Sequence, residues 1–213
     1  MKRIIITFIM IFLIVCLWRC KEIDNQKITF LSLNSSVLID SFGKQQLDVK
    51  YVVEYRPNSK VLTIGIKEGN YTYEDSLVPK FGLDKFYTYK IDSKFNKVVN
   101  YLFENEYNDE YYIKHKEPYC DDRRLKFIII EKNNIKKVIF YKDREKLPKE
   151  LFVADSLIYN VVYSKHLDYS KNRICYLLIK ELQDTLFSRF PPPKLIKSSI
   201  KFSAPIIKIK DNN

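Results

Sequence analysis

The chain has 213 residues, of which 46% are hydrophobic and 30% charged, a composition that indicates a globular protein and excludes a disordered one. Its net charge of +11 lies mostly at the ends, with +3 in residues 1–20, +5 in residues 185–213 and +3 between them, so we expect no nucleic-acid partner. Four glycines are too few for a glycine-rich phosphate loop, and the sequence indicates no cofactor.

The first twenty residues are predicted to direct the chain into or across a membrane. Met1-Lys2-Arg3 is a basic start, and residues 4–18 are apolar except for Thr7. A helix of that length spans about 22 Å, which is short for a bilayer core and suits the apolar part of a signal peptide. A buried core helix is the alternative, but polar residues do not divide the run into two faces. We therefore expect a cell-envelope protein that faces the periplasm or the exterior.

Two cysteines, Cys16 and Cys20, lie at the end of the apolar run. A cysteine here resembles the lipidated first residue of a mature bacterial lipoprotein. Leu17 fits that signal at three residues before Cys20, whereas Arg19 directly before it does not. Trp18-Arg19 also suits an uncleaved anchor at the membrane interface. Of the three possible outcomes after export, lipidation of Cys20 is favoured most, an uncleaved anchor comes second and simple secretion third.

Residues 21–190 are predicted to form one domain, whose first clear element is a strand at Leu47–Tyr55. Apolar and polar residues alternate there, which predicts one face against the core and one face in water. The core-facing residues are expected to be Leu47, Val49, Tyr51, Val53 and Tyr55. A turn signal at Pro57-Asn58-Ser59 precedes a second strand at Val61–Ile66, and further strands are predicted at residues 71–73 and 86–91.

The middle of the domain predicts a helix followed by a hairpin. Ser93 is expected to cap the helix, whose apolar residues share one face: Phe95, Val98, Val99, Leu102 and Phe103. The polar residues 104–109 end it, and residues 111–113 are a candidate strand. Leu125–Ile130 is apolar on both faces, which predicts a central strand. Lys132-Asn133-Asn134 predicts the turn to Ile135–Tyr141, because Asn tolerates left-handed backbone.

Two more helices are predicted before the triple proline. Pro148 begins the first, whose buried stripe is Leu151, Ala154, Ile158, Val161 and Val162. The second runs from Asn172 to Asp184, with Ile174, Cys175, Leu178 and Leu182 facing inward. Short hairpin turns indicate antiparallel pairing. The predicted fold class is therefore α+β, an antiparallel sheet built from hairpins with two to three helices on one face.

Residues 191–213 form a separate basic segment led by Pro191-Pro192-Pro193. Five lysines and seven large apolar residues alternate through residues 194–210. The segment is either an edge strand or a free arm that contacts an anionic surface. Its apolar content favours packing on the body, because so many apolar side chains left in water would promote aggregation.

Residues 61–162 resemble a known family. They contain IDSKFNKVVNYLF, then Cys120-Asp121-Asp122, then LKFIIIEKNNIKKVIFY and LPKELFVADSLIYNVV. This pattern looks like a domain-of-unknown-function family of small exported bacterial lipoproteins. The resemblance implies an envelope location. It implies no activity and no site residues, because that family has none assigned.

His115, Cys120, Asp121 and Asp122 fall within eight residues and form a cluster of possible metal ligands. The cluster lacks a C-x-x-C or H-x-x-x-H pair, so a solvated loop is favoured and no metal is predicted. Asp121 and Asp122 are also candidates for paired catalytic carboxylates. Neighbours on an extended segment point to opposite faces, so ion pairs with the arginines that follow are favoured and no catalytic residue is predicted.

Cys120 and Cys175 remain once the N-terminal cysteines are set aside. In an oxidising compartment we expect them to form a disulfide, which would close a loop of about 55 residues and stabilise the fold by about 4 kcal/mol on the chain-entropy model. The competing interpretation is that Cys175 is simply buried on the apolar face of its helix.

Tyrosine is abundant, at 16 residues, and two groups stand out. One lies near the loop and comprises Tyr107, Tyr111, Tyr112 and Tyr119. In the other, Tyr159 and Tyr163 are four residues apart on a predicted helix. Exposed rings of this kind bind sugars or protein partners, whereas packing in the core and on the sheet is the favoured alternative.

The sequence as a whole predicts a cell-envelope lipoprotein or membrane-anchored protein that acts as a non-catalytic interaction or structural module. Its expected partners are the membrane, through the N-terminal segment, and an envelope protein or polymer. The alternative is an envelope hydrolase with a site near His115 and Asp121. That alternative requires a concave pocket in which His115 meets a carboxylate.

Lipidation can be tested directly by growing expressing cells with a radioactive fatty acid. The full chain is expected to carry the label, and Cys20→Ser is expected to abolish it, because the thiol is the acceptor. Cys16→Ser is the matched control and should retain the label. Label retained in the Cys20 variant and lost in the Cys16 variant would move the site to Cys16.

Overall fold

The computed structural model describes residues 26–39, 44–70, 78–111, 125–142, 146–171 and 176–189. Within these ranges the strands are β1 (Lys27–Ile39), β2 (Gln45–Tyr55), β3 (Val61–Ile66), β4 (Lys85–Lys90), β5 (Glu110–Tyr111), β6 (Lys126–Lys132), β7 (Ile135–Tyr141) and β8 (Asp168–Tyr169). The α-helices are α1 (Ser93–Asn100), α2 (Lys149–Val162) and α3 (Tyr176–Arg189).

All eight strands form one sheet in the order β5-β7-β6-β1-β2-β3-β4-β8. Neighbouring strands pair antiparallel except β5, which runs parallel to β7. The strands at the two edges, β5 and β8, have two described residues each. The protein therefore has an α+β fold with an antiparallel sheet, which confirms the predicted class.

Helices cover both faces of this sheet. On one face, α1 and α2 bury their apolar stripes against β2, β3, β6 and β7. On the other face, α3 packs through Leu178, Ile179, Leu182 and Leu186. Two helices thus share a face as predicted, and the third lies opposite them. The physical reason is that Phe127 and Ile129 of β6 point away from α2 and need their own cover.

The central strand β1 was missed in the sequence. It lies between β2 and β6 and has Ile28 and Phe30 on one face, with Leu31 and Leu33 on the other. In its first half, KITFLSL, apolar residues are frequent and partly alternate with polar ones, a pattern that predicts a strand. Ser35-Ser36 after Asn34 resembles a turn and masks the continuation of the strand to Ile39.

The prediction that β2 has one wet face was wrong. Ser32 of β1 pairs with Tyr51 and the next residue, Leu33, pairs with Val49, so Lys50 is a β-bulge. The extra residue shifts the alternation of side chains, so that the odd-numbered residues before and after it point to opposite faces of the sheet. Leu47 and Val49 therefore face α3, whereas Tyr51, Val53 and Tyr55 face α1 and α2. Both faces are covered, and even Asp48 is buried.

The helices and the hairpin agree closely with expectation. The stripe of α2 from Leu151 to Val162 is buried as predicted. The cap of α1 is Asp92 rather than Ser93, and its Oδ1 accepts a hydrogen bond from Phe95 N at 2.7 Å. Asn133 and Asn134 have φ values of 52° and 64°, as a two-residue hairpin turn requires.

Several predictions fall outside the described residues. They are the strand at 71–73, the end of the strand predicted at 111–113, the first turn predicted for the last helix, and the segment 191–213. The described part of that helix, α3, continues to Arg189 instead of ending at Asp184.

A buried polar cluster joins α2 to the sheet. Lys126 Nζ lies 3.0 Å from both carboxylate oxygens of Asp155, and Tyr141 OH donates to Asp155 Oδ1 at 2.7 Å. Asp155 is 1% exposed. Lys126 also pairs in register with Ser32 of β1. A carboxylate in such a place is tolerable only because a cation and a hydroxyl satisfy it.

We expect Asp155→Ala to lower the free energy of unfolding by about 3–5 kcal/mol, because the ammonium of Lys126 would stay buried without its counter-charge. The double change Lys126→Met with Asp155→Leu should recover most of that loss. Urea denaturation followed by circular dichroism measures both. Removing the exposed pair through Lys136→Ala is the control, with a loss under about 1 kcal/mol. A loss at Asp155 no larger than the control would show that the cluster contributes little.

Candidate functional site

The residues singled out in the sequence for chemistry lie outside the described part of the chain. They are His115, Asp121 and the cysteines at positions 16, 20, 120 and 175. The lipidation, the Cys120–Cys175 disulfide and the hydrolase site therefore stay predictions. The described ranges contain no group of three or more metal-ligating side chains. No helix in the same ranges is long and apolar enough to cross a membrane.

A cleft of about 460 Å³ lies on the face covered by α1 and α2. It opens where β3 ends, where β4 begins and where α2 gives way to the loop before β8. Its walls combine an apolar floor with charged and aromatic groups. The lining residues are Lys50, Ile66, Lys67, Glu68, Tyr87, Val162, Tyr163, Ser164, Lys165 and Leu167.

The bulge in β2 shapes one wall of the cleft. Lys50 is the extra residue of the bulge, and its carbonyl accepts a hydrogen bond from Lys67 N at 2.9 Å. Lys67 Nζ in turn lies 2.8 Å from Asp48 Oδ1, and both side chains are buried. Bulges commonly redirect a side chain beside a binding site. The irregularity therefore places one lysine at the cleft and fixes a second beside it.

Gly82 packs closely against the ion pair of Asp48 and Lys67. Gly82 has a φ of 75°, and a Cβ at this position would lie 2.9 Å from Leu38 Cδ1 and 3.3 Å from Asp48 Oδ1. Both the backbone conformation and the close approach require glycine. Asp48 can therefore stay within reach of Lys67.

Two tyrosines, Tyr87 and Tyr163, line the cleft, and each contacts a further tyrosine. The rings of Tyr159 and Tyr163 are tilted by 46° with centroids 4.6 Å apart, and the ring of Tyr169 meets that of Tyr87 edge-on at 6.3 Å. Tyr163 is 48% exposed and Tyr169 is 71% exposed. Packing in the core and on the sheet was favoured for Tyr159 and Tyr163; with 41% and 48% of their surfaces exposed, neither is buried in the core.

The hydroxyl of Tyr87 is used as a hydrogen-bond donor within the cleft. It donates to Glu68 Oε1 at 2.6 Å. This hydrogen bond, reinforced by partial burial and by the charges of Glu68 and Asp84, raises the pKa of Tyr87 to about 12. The phenol is therefore protonated at neutral pH and does not act as a base.

The end of α2 supplies the remaining polar groups. Ser164 N donates to Val161 O at 3.0 Å, and Ser164 Oγ accepts from His166 N at 3.1 Å. The helix ends at Val162, where its dipole favours a nearby cation such as Lys165. Neither Lys165 nor Lys50 forms an ion pair within the described residues. Both lysines line the cleft, where they can face a ligand.

Comparison with protein families, with curated proteins and with solved structures found no match to this chain. The resemblance of residues 61–162 to an exported lipoprotein family therefore stays a prediction.

The sequence did not reveal the cleft, because its residues come from four separate stretches. Tyr159 and Tyr163 were the one visible signal, since their spacing places two rings on one helical side. Lys50 was assigned to a wet strand face, and its position depends on a bulge that alternation alone does not show.

A second unusual group lies in β2, away from the cleft. Glu54 is cross-strand from Thr29, and neither Glu54 Oε1 nor Thr29 Oγ1 has a hydrogen-bond partner among the described residues. Burial raises the pKa of Glu54 above its ordinary value of 4.5, although the positive charges of Lys27 and Arg56 oppose the shift. Ionised Glu54 therefore costs the folded state free energy.

We expect Glu54→Gln to raise the melting temperature at neutral pH. Because the folded-state pKa is raised, the stabilisation by this carboxyl is complete below pH 4.5 and is lost as the pH rises through that higher value. The gain should therefore disappear at acid pH. Calorimetry across a pH series measures it, with the exposed Glu104→Gln as the control. A gain that does not change with pH would contradict the assignment to ionisation.

Proposed function

We propose that this protein is a non-catalytic binding module of the bacterial cell envelope, held at a membrane by its N-terminal segment, with the cleft as its ligand site. The observation that carries the proposal is the joint presence in the cleft of the exposed ring of Tyr163, the lysines Lys50 and Lys165 and an apolar floor. Sites for small molecules commonly combine an apolar surface with a few convergent polar groups.

The lining favours a sugar that bears a negative charge, such as a fragment of an acidic envelope polymer. Tyr163 offers a ring face to the C–H side of a sugar, with a hydroxyl that remains polar. Glu68 accepts hydrogen bonds from ligand hydroxyls, and Lys50 and Lys165 pair with a carboxylate or phosphate. Lys67 adds little, because Asp48 already neutralises it.

Binding rather than catalysis is supported by the state of the titratable groups. Tyr87 retains its proton, and Glu68 already accepts that hydroxyl as a hydrogen bond. Both groups are therefore suited to orienting a ligand and not to moving a proton during a reaction.

We expect the full chain in detergent micelles to bind a tetrasaccharide that contains glucuronic acid more tightly than its uncharged glucose counterpart. Lys165→Glu should weaken binding of the charged sugar about tenfold, because a pairing becomes a repulsion. Tyr163→Ala should weaken binding of both sugars, because the ring contacts either one. Chemical-shift titration by NMR gives the affinities.

The matched control is Lys180→Glu, which makes the same charge change at an exposed position of α3 on the opposite face. It should leave both affinities unchanged. Equal losses in the two lysine variants would assign the effect to overall charge, and the absence of saturable binding to either sugar would exclude this ligand class.

A further inference from the structure

One end of the sheet, here called the proximal end, collects the start of the first strand and two tight turns. Ile28 of β1 pairs with Tyr55 at the end of β2, and Val61 at the start of β3 pairs with Lys90 at the end of β4. Lys132 and Ile135 close the β6–β7 hairpin at the same end, because Lys27 pairs with Glu131. Six strands therefore start or finish there.

A basic corner occupies part of the proximal end. It consists of Arg56 and Lys60 in the β2–β3 turn together with Lys90 and Lys94 at the junction of β4 and α1, and all four are exposed. The two segments touch, since Ile91 N donates to Lys60 O at 3.1 Å. None of these four cations forms an ion pair with another residue that the structure describes.

Within the described ranges, the acidic residues nearby leave the corner positive. Asp92 directs its carboxylate to the N-terminus of α1, and Glu131 is paired with Lys27 at 3.0 Å. Glu54 is partly buried and interacts with the charges of Lys27 and Arg56, which leaves Lys60, Lys90 and Lys94 as the main cations of the corner. Glu104 and Glu106 are exposed but follow Phe103, whose carbonyl binds Lys132 on the β6 side of the sheet. Their charge therefore falls beside the corner and not within it.

The N-terminal segment cannot be far from this end. Only six residues separate Cys20 from Lys27 at the start of β1. Even fully extended, the seven steps from Cys20 to Lys27 reach about 25 Å. An anchor at or before Cys20 thus holds the proximal end within about 25 Å of the bilayer.

We propose that the basic corner docks on the anionic lipid headgroups of the membrane that holds the N-terminal segment. The proposal rests on the anchoring part of the proposed function and adds an orientation to it. Lysine and arginine side chains within a Debye length of an anionic leaflet are attracted to it. Ile135 projects from the hairpin at the same end with 73% of its surface exposed, and it adds an apolar contact with the interface.

This orientation points the cleft away from the bilayer. Of the cleft residues, Ile66 pairs with Lys85 at the other end of β3 and β4 from Lys60 and Lys90, and Tyr87 lies between the two ends. A strand of this length spans about 20 Å. The ligand site is therefore held at the outer side of the domain, toward the envelope.

The test uses the full chain in nanodiscs that carry gadolinium-labelled headgroups, with either phosphatidylcholine alone or added phosphatidylglycerol. In the anionic discs, the backbone amides of residues 56–61 and 90–94 are expected to lose most of their NMR signal. Amides of residues 66–69 should retain theirs. High salt should restore the lost signals, because the attraction is screened.

Charge reversal separates docking from tethering. Lys60→Glu with Lys90→Glu should restore the signals of residues 56–61 and 90–94 in the anionic discs. The matched pair Lys165→Glu with Lys180→Glu makes the same change in net charge elsewhere and should not. Uniform signal loss in both double variants, or no loss in a chain that stays with the discs, would overturn docking while leaving the anchor intact. A chain that elutes apart from the discs would overturn the anchor, and this proposal with it.

Discussion

The fold depends on burying β1 on both faces while pairing it on both edges. A strand with Phe30 on one side and Leu31 on the other cannot lie at the surface of a two-layer protein. The antiparallel sheet must therefore carry helices on each side. The hairpins alone would not require this arrangement, because their outer strands β7 and β4 have exposed or half-buried positions.

The bulge at Lys50 allows β2 to be buried on both faces and also places a lysine at the cleft. A regular β2 would keep Leu47 and Tyr51 on one face and leave the other side of the strand polar. Inserting one residue lets each half of the strand present its apolar residues to a different core. Lys50, the residue that breaks the register, is also one of the residues that line the cleft. Packing on two faces and the position of a cleft lysine thus have one structural cause.

The sequence predicts those elements whose signals are local. The stripe of α2 and the Asn133-Asn134 turn are read from spacing and from backbone preference, and both are found as expected. The course of β1, the bulge and the assignment of α3 to the opposite face depend on contacts between residues far apart in the chain. The cleft depends on them too, because Lys50 and Tyr163 meet only after the sheet and α2 have assembled.

The basic corner and the cleft lysines lie too far apart for the charge of one to act strongly on the other. At physiological ionic strength a charge is screened over about 8 Å. The corner at Lys60 and Lys90 and the cleft at Lys165 lie toward opposite ends of strands that span about 20 Å. Headgroups bound at the corner would therefore not neutralise the cleft, and a ligand in the cleft would not compete with lipid. A tethered module needs this separation, because otherwise its own membrane would be the ligand at the highest local concentration.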